Sequence, residues 1–596
     1  MIMFKGALLL CGLALPVSAV QPPGSTEGLP PASQWVAEDA ALLFEAREPM
    51  ALLEPLLSPD LAKAFTSLSG NPESNLKVQQ LEGLVAYLEL QLGTDWRSGL
   101  RRLLGGALAL AVEPGGGTLL SVDAKDEKLL PQLEEVVRHF VASQAAAQGR
   151  PEQVASRQYR GATAWTLATN ETHAILGNRL LLANRSAMLD RALDLRAEPG
   201  ARGIGSASLY RAAKQAVGKE ALAMLFLNLQ ELRLAPAVKE ALAEDANPLG
   251  TLLLADTKEA LRQANWLALG IYLNEGKLVL KTFTDGRAPP GSKALAFANP
   301  RNPEEGLLPR LEVPGGIASL SLHRDLPSFY AAKDELFPER TSGLVFFENM
   351  MGIFFSGIEL TEGVLGETQP DIRVVVAAQR YDTALGTPAA QMPAFAAVLR
   401  LRHPQAFGEI VEEAWQKAIG LANFTRGQQA QPGLIIDRAS HHGVKYTLSY
   451  YRPPGDKDKA ALDSRYNYRP SLARPGDYLI ISSTDGLAED LIDAVQKEAA
   501  SPPKPSQAAH SSFELDGAQL HAILMANREP LIRKNMVDKG NTRQQAETET
   551  GFFLTALGCV DCAVLTLARE NAHPQATLEL RLKAPGGKPE KTTAMK

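Results

Sequence analysis

Between residues 129 and 141, Leu129, Leu133, Val136, Val137, Phe140 and Val141 recur at helical spacing while Glu134, Glu135 and Arg138 fall between them. The spacing predicts a helix with one core-facing stripe and a charged outer face. A stripe of the same phase runs through Phe407, Ile410, Val411, Ala414, Trp415, Ala418 and Ile419. After each stripe the period shortens to alternation punctuated by turn residues. Residues 153–159, 162–169 and 173–183 in the first case, and 433–437, 445–451 and 478–482 in the second, read as antiparallel meanders.

The echo extends to letters. Tyr159-Arg160-Gly161 and the later Gly177-Asn178-Arg179-Leu180-Leu181-Leu182 stand against His442-Gly443-Val444 and Gly476-Asp477-Tyr478-Leu479-Ile480-Ile481, each followed by a helical pattern. Leu133-Glu134-Glu135-Val136-Val137 likewise matches Val411-Glu412-Glu413-Ala414-Trp415. Matches in the same order, at a period far too long for a solenoid, imply two modules of one fold.

Further elements fit that plan. Strands are predicted to open the modules at 39–47 and 317–323, with hairpins at 107–123 and 372–401 and closing hairpins at 266–284 and 563–582. A single strand is predicted at 221–229, and its counterpart is read at 520–525. Helices are predicted at 50–68, 76–92, 96–104, 186–196, 209–217, 325–336 and 343–355. The last, around Phe346 to Phe355, is the most apolar stretch after the leader. Its Glu348, Asn349 and short length point to a buried helix rather than a membrane span. Strands beside strands, with helices between meanders, place the chain in the α+β class: two homologous modules, each an antiparallel sheet with helices packed on it.

The ends add a compartment. Residues 1–19 carry Lys5, an apolar run, Pro16 and the small-residue site Val17-Ser18-Ala19, the signature of a secretory signal peptide. The organisation then reads as a tether at 20–31, a first module at 32–285, a linker at 286–306, a second module at 307–585 and a disordered tail at 586–596. With the signal removed, no transmembrane segment is expected, and the protein is placed in the periplasm or outside the cell. Of three cysteines only Cys559 and Cys562 remain after cleavage, so ordinary apolar cores hold the fold, which 45% hydrophobic residues can supply. A net charge of −6 gives no footprint for nucleic acid.

The second module departs from the first in two insertions. One lengthens its central hairpin from Arg380-Tyr381 to Pro393; the other runs from Arg452 to Pro470 and contains Arg465-Tyr466-Asn467-Tyr468-Arg469. Guanidinium groups pair with carboxylates, and tyrosines add flat contact area and a hydroxyl, so Arg380, Tyr381, Arg465, Tyr466, Tyr468 and Arg469 are the candidate partner contacts. A solvated loop whose tyrosines pack on the domain is the plainer alternative.

Catalytic signatures are missing. There is no G-x-S-x-G, P-loop, dinucleotide fingerprint or H-E-x-x-H. His441-His442, if extended, would point to opposite faces, which disfavours a metal site. Cys559-Val560-Asp561-Cys562 precedes a strand-like run rather than a helix, so it is expected as a turn-closing disulfide and not a redox pair.

Glu38-Asp39-Ala40-Ala41-Leu42-Leu43-Phe44-Glu45-Ala46, the strand from Gly177 to Ala183 and Met392-Pro393-Ala394-Phe395-Ala396 resemble uncharacterised secreted bacterial proteins with duplicated α+β modules of unknown function. That resemblance implies an envelope or extracellular location and transfers no active site. The expectation is an exported non-enzymatic binding or scaffold protein, without cofactor or metal, whose partner is an unknown envelope protein or polymer. The alternatives are an envelope hydrolase with a site assembled only in three dimensions and a carrier of an apolar ligand held between the sheet and the Phe346 to Phe355 helix.

Overall fold

A computed structural model describes residues 29–54, 85–91, 93–147, 155–166, 171–198, 200–242, 247–254, 257–287, 296–302, 304–381, 386–453 and 462–583. The expected signal peptide, most of the tether, much of the helices at 50–68 and 76–92, and the tail lie outside these residues. The chain divides into a first unit, Met1–Ala243 with Leu261–Arg287 and Glu579–Lys596, and a second, Glu244–Ala260 with Ala288–Leu578.

The first unit carries strands β1 (Leu42–Ala46), β2 (Leu108–Val112), β3 (Thr118–Asp123), β4 (Ala155–Tyr159), β5 (Ala162–Thr166), β6 (Thr172–Leu176), β7 (Arg179–Ala183), β8 (Ala223–Asn228), β9 (Trp266–Asn274) and β10 (Lys277–Thr284). They pair antiparallel in the order β4-β5-β6-β7-β3-β2-β1-β8-β9-β10. One face is apolar by alternation and is covered by two helices. Ser186–Ala197 buries Met188, Leu189, Ala192 and Leu193, and Ser208–Val217 buries Tyr210, Ala213 and Val217, both against Leu43, Leu181, Phe226 and Trp266.

The second unit carries β11 (Gly316–His323), β12 (Thr368–Ala377), β13 (Ala394–Leu401), β14 (Ile435–His441), β15 (Val444–Tyr450), β16 (Ser471–Ala473), β17 (Tyr478–Ser482), β18 (Ala509–Asp516) and β19 (Val560–Glu570). Their order is β14-β15-β16-β17-β13-β12-β11-β18-β19, again antiparallel throughout. These nine strands follow the order of the first nine of the first unit, from β4 to β9. Helix Asp485–Ala500 stands where Ser186–Ala197 stands, starts at a Thr484 cap whose side chain accepts from Leu487 N, and buries Leu487, Ala488, Leu491, Ile492 and Val495. Full burial of such side chains contributes about 1.5–3 kcal/mol each.

Several expectations need correction. Residues 520–525 are not a strand: Gly517–Ala526 is a helix capped by Asp516, whose side chain accepts from Gln519 N, and its Ala, Leu and Met content favours that state. The counterpart of β8 is β18, which ends nine residues earlier than expected and is polar in sequence. Helix Thr341–Phe354 has no buried residue, with Phe346 and Ile353 each 70% exposed, so it does not roof an apolar chamber. Among the described residues, no helix is long and apolar enough to cross a membrane.

The expected Cys559–Cys562 disulfide is not formed. Cys559 caps helix Arg543–Gly558, its thiol donating to Thr555 O at 3.4 Å, and the strand begins at the next residue. Extended chain from Val560 onward carries Cys562 away at about 3.3 Å per residue, beyond the ~5–6 Å Cα spacing that a disulfide needs.

Candidate functional site

Asn467 sits 1% exposed at the meeting point of the second unit's two insertions. Its carbonyl oxygen accepts from the Tyr381 hydroxyl at 2.7 Å and from Met392 N at 3.0 Å, while its amide nitrogen donates to Ala390 O at 3.0 Å and Ser464 O at 2.9 Å. Gln379 adds a second tie, donating to Asn467 O at 2.9 Å and Met392 O at 2.7 Å. A β-bridge joins Pro388 to Leu462. Two loops separated by three strands are thereby fixed to one another at the end of β12.

Between them and the start of helix Asp485–Ala500 lies a cavity of about 300 Å³. Tyr381, Tyr450, Tyr451, Tyr466 and Tyr468 form its aromatic walls; Arg380, Arg469, Asp485 and Asp490 are its charged groups. Residues 382–385 and 454–461, including Asp456-Lys457-Asp458-Lys459, lie outside the described residues.

The charges are mostly matched in pairs. Arg380 donates to both oxygens of Asp490 at 2.9 and 3.0 Å, and Arg469 lies 2.9 Å from Asp485. Burial raises Asp485 above the ordinary carboxylate range, with Arg469 opposing the shift. Burial also pushes the Tyr381 hydroxyl up to about 12, so it stays a donor to Asn467 at any physiological pH.

Arg465 is different. Its guanidinium lies over the rings of Tyr466 at 5.0 Å and Tyr451 at 5.8 Å, its Nε is buried without a hydrogen-bond partner, and it has no ion pair among the described residues. Tyr451 also receives Arg426 at 4.8 Å and meets Tyr466 edge to face at 6.3 Å.

All six candidate contacts therefore converge: five line the cavity and Arg465 backs two of its tyrosines. Sequence reasoning missed Tyr450, Tyr451, Asp485 and Asp490, which belong to the shared frame rather than to the insertions. It also passed over Asn467, although a lone amide between two tyrosines was the available signal. Asn467→Ala is expected to leave four partners unsatisfied, cost about 1–3 kcal/mol, and release both loops. Amide exchange in 386–393 and 462–470 should then accelerate well ahead of the core; unchanged protection there would refute the staple.

A second cluster lies further along the same helix. The β14–β15 turn places His442 at φ 43° and Gly443 at φ 82°, a primed turn that needs positive φ at both positions. Instead of pointing apart, His441 and His442 converge. His441 Nε2 is 3.0 Å and His442 Nδ1 2.6 Å from Asp493 Oδ1, with ring centroids 4.1 Å apart. Burial opposes ionisation of Asp493, yet hydrogen bonds from the two rings hold it below its ordinary range. This is the group of His, Cys and acidic side chains among the described residues whose ligand atoms all lie within 4.8 Å of one another.

Residues 132–308 match a family described as a protein of unknown function, DUF3352. That family brings no assigned activity. Among solved structures, crystal form I of TP0453 is similar at 11% identity over 44% of this chain and 80% of that one, with a TM-score of 0.22. Crystal form IV gives 10% identity, 42% and 78% coverage and a TM-score of 0.20. Likeness at that level carries no functional argument. No curated protein matches.

Proposed function

We propose that this chain is an exported, non-enzymatic envelope binding protein made of two copies of one α+β module, and that the tyrosine-walled cleft of the second copy holds an envelope protein or polymer. The observation that carries this reading is the stapling of both insertions by Asn467 into one cleft that the sequence-distant tyrosines complete. The common strand order and the matching turns support duplication; the leader at 1–19 supports export. The tyrosines offer flat contact area at low entropic cost, and the Arg465 charge, without an ion pair among the described residues, favours a partner that lays a carboxylate against them.

Binding is preferred over hydrolysis because no serine, cysteine or histidine lies among the described lining residues, and Asp485 and Asp490 are each committed to an arginine. The carrier reading loses its support in the exposure of helix Thr341–Phe354.

The test is capture from an envelope extract. Immobilised protein should enrich a defined component, and the combined variant Arg465→Ala, Tyr466→Ala, Tyr468→Ala and Arg469→Ala should lose it while melting within a few degrees of the parent. Equal capture by parent and variant would overturn the assignment of the cleft.

A further inference from the structure

Asp493 follows Gly476 at the same distance along the chain as Asp194 follows Gly177, and both lie on the helix that succeeds the matched strand. The facing hairpins also match. Tyr159 and Ala162 pair across the turn Arg160-Gly161, as His441 and Val444 pair across His442-Gly443, with φ 49° and 74° in one turn and 43° and 82° in the other. The backbone thus presents side chains from the same two turn positions to an aspartate at the same helix position in each unit.

What differs is the chemistry placed there. In the first unit the Tyr159 hydroxyl donates to both Asp194 oxygens at 3.0 Å, and Arg160 Nε donates to Oδ1 at 2.7 Å. The Arg160 guanidinium is a permanent cation, so Asp194 is neutralised without help. In the second unit the same positions hold two imidazoles, each able to turn a lone pair rather than a proton toward Asp493. A tyrosine that donates its hydroxyl proton and an arginine that has no lone pair to offer are replaced by two imidazoles that can each act as a ligand.

From this substitution on a common frame we infer that His441 Nε2, His442 Nδ1 and Asp493 form a binding site for a divalent transition metal such as Zn2+. The ligand types suit zinc, whose ~2.0–2.1 Å bonds in tetrahedral geometry place neighbouring donors roughly 3.3–3.5 Å apart. The rings already stand 3.0 and 2.6 Å from Asp493 Oδ1, so a slight parting of the carboxylate from the rings admits the ion. The metal takes the electrostatic role that Arg160 plays in the first unit, and two neutral imidazoles replace the tyrosine and arginine. Three protein ligands leave a fourth position for water or for a donor from a partner. His442 is 66% and Asp493 47% exposed at the side chain, so that position is open to solvent.

The experiment uses the full chain without an affinity tag, freed of metal by chelator, and titrated with Zn2+ in a calorimeter. One equivalent should bind to the parent and raise its melting temperature. The decisive variant carries His441→Tyr and His442→Arg, which writes the first unit's own solution into the second and should fold as well as the parent. It should lose affinity by more than the ~10–100-fold that even outer-shell metal partners cost when mutated. A second variant, Cys559→Ala with Cys562→Ala, should bind as the parent does. The inference is overturned if the parent shows no binding up to millimolar Zn2+, or if the Tyr-Arg variant binds one equivalent with unchanged affinity. Co2+ gives an independent readout, since its visible bands should appear with the parent and be absent with the Tyr-Arg variant.

Discussion

Arg324→Met is expected to lower the stability of the second unit by about 3–5 kcal/mol, the range set by removing a buried, fully hydrogen-bonded charge. Arg324 is 0% exposed. Its Nε donates to Leu252 O at 2.5 Å, and its two terminal nitrogens reach His323 O at 2.7 Å, His510 O at 2.8 Å, Leu253 O at 2.9 Å and Ser511 Oγ at 2.7 Å. The planar fork draws together the end of β11, the start of β18 and the last turn of helix Pro248–Leu254. Methionine fills much of the volume but strands the carbonyls. Lysine should rescue little, because one ammonium cannot span acceptors on three elements. Urea denaturation, with amide exchange on β11 and β18, checks both variants; a loss below about 1 kcal/mol for Arg324→Met would contradict the account.

The same locus is expected to make the second unit lose stability to acid well above the carboxylate range. Burial, then the nearby charges of Arg324, Arg569 and His323, bring the His510 imidazole down to about 3. In the first unit burial alone brings His173 down to about 4. A histidine whose folded value lies below its unfolded value of about 6.5 stabilises fully above 6.5, and that stability drains away as pH falls toward the folded value. Each such histidine costs about 1.4 kcal/mol per pH unit in that window, so a fall from pH 6.5 to 4.5 should remove roughly 2–3 kcal/mol from each unit. His510→Gln should flatten the slope for the second unit whatever its own cost at neutral pH, which makes the slope, not the midpoint, the quantity to measure. An unaltered slope would place the acid sensitivity elsewhere. Glu498 enters later: burial works against its charge, but hydrogen bonds from Arg373 at 2.5 and 2.7 Å and Tyr478 at 2.8 Å hold it below its ordinary range. Its contribution is lost only once pH falls through that lowered value.

The α+β class, the meanders and the amphipathic helices were legible because each carries its period in a run of apolar letters. Helix Ser186–Ala197 and hairpin β2–β3 lie within a residue or so of the predicted 186–196 and 107–123. What failed did so for physical reasons. β18 contains His510 and Ser511, buried polar residues that are served by Arg324 reaching across from the end of β11, a partner far away in sequence. β16 has three residues and no period to display. Helix Thr341–Phe354 reads as core because hydropathy reports what a residue prefers, not what the fold leaves for it to touch. The cleft was half legible: the insertions announced its arginines and several tyrosines, whereas Asn467 acts through distances that no linear pattern contains. The His441-His442 pair was visible, but its geometry follows from a left-handed turn that only the comparison with Arg160-Gly161 would have exposed.

Both units tie the connection between their second and third strands to the same helix with an ion pair, but with the polarity reversed. Glu113 accepts from Arg191 at 3.0 Å in the first; Arg380 donates to Asp490 at 2.9 Å in the second. Arg191 and Asp490 occupy equivalent positions after Gly177 and Gly476. A chain that repeats one strand order within a single polypeptide risks pairing a helix with the wrong sheet while it folds. Here such an exchange would set arginine against arginine in one place and glutamate against aspartate in the other, so each half carries a charge that admits its own helix and turns away its twin's.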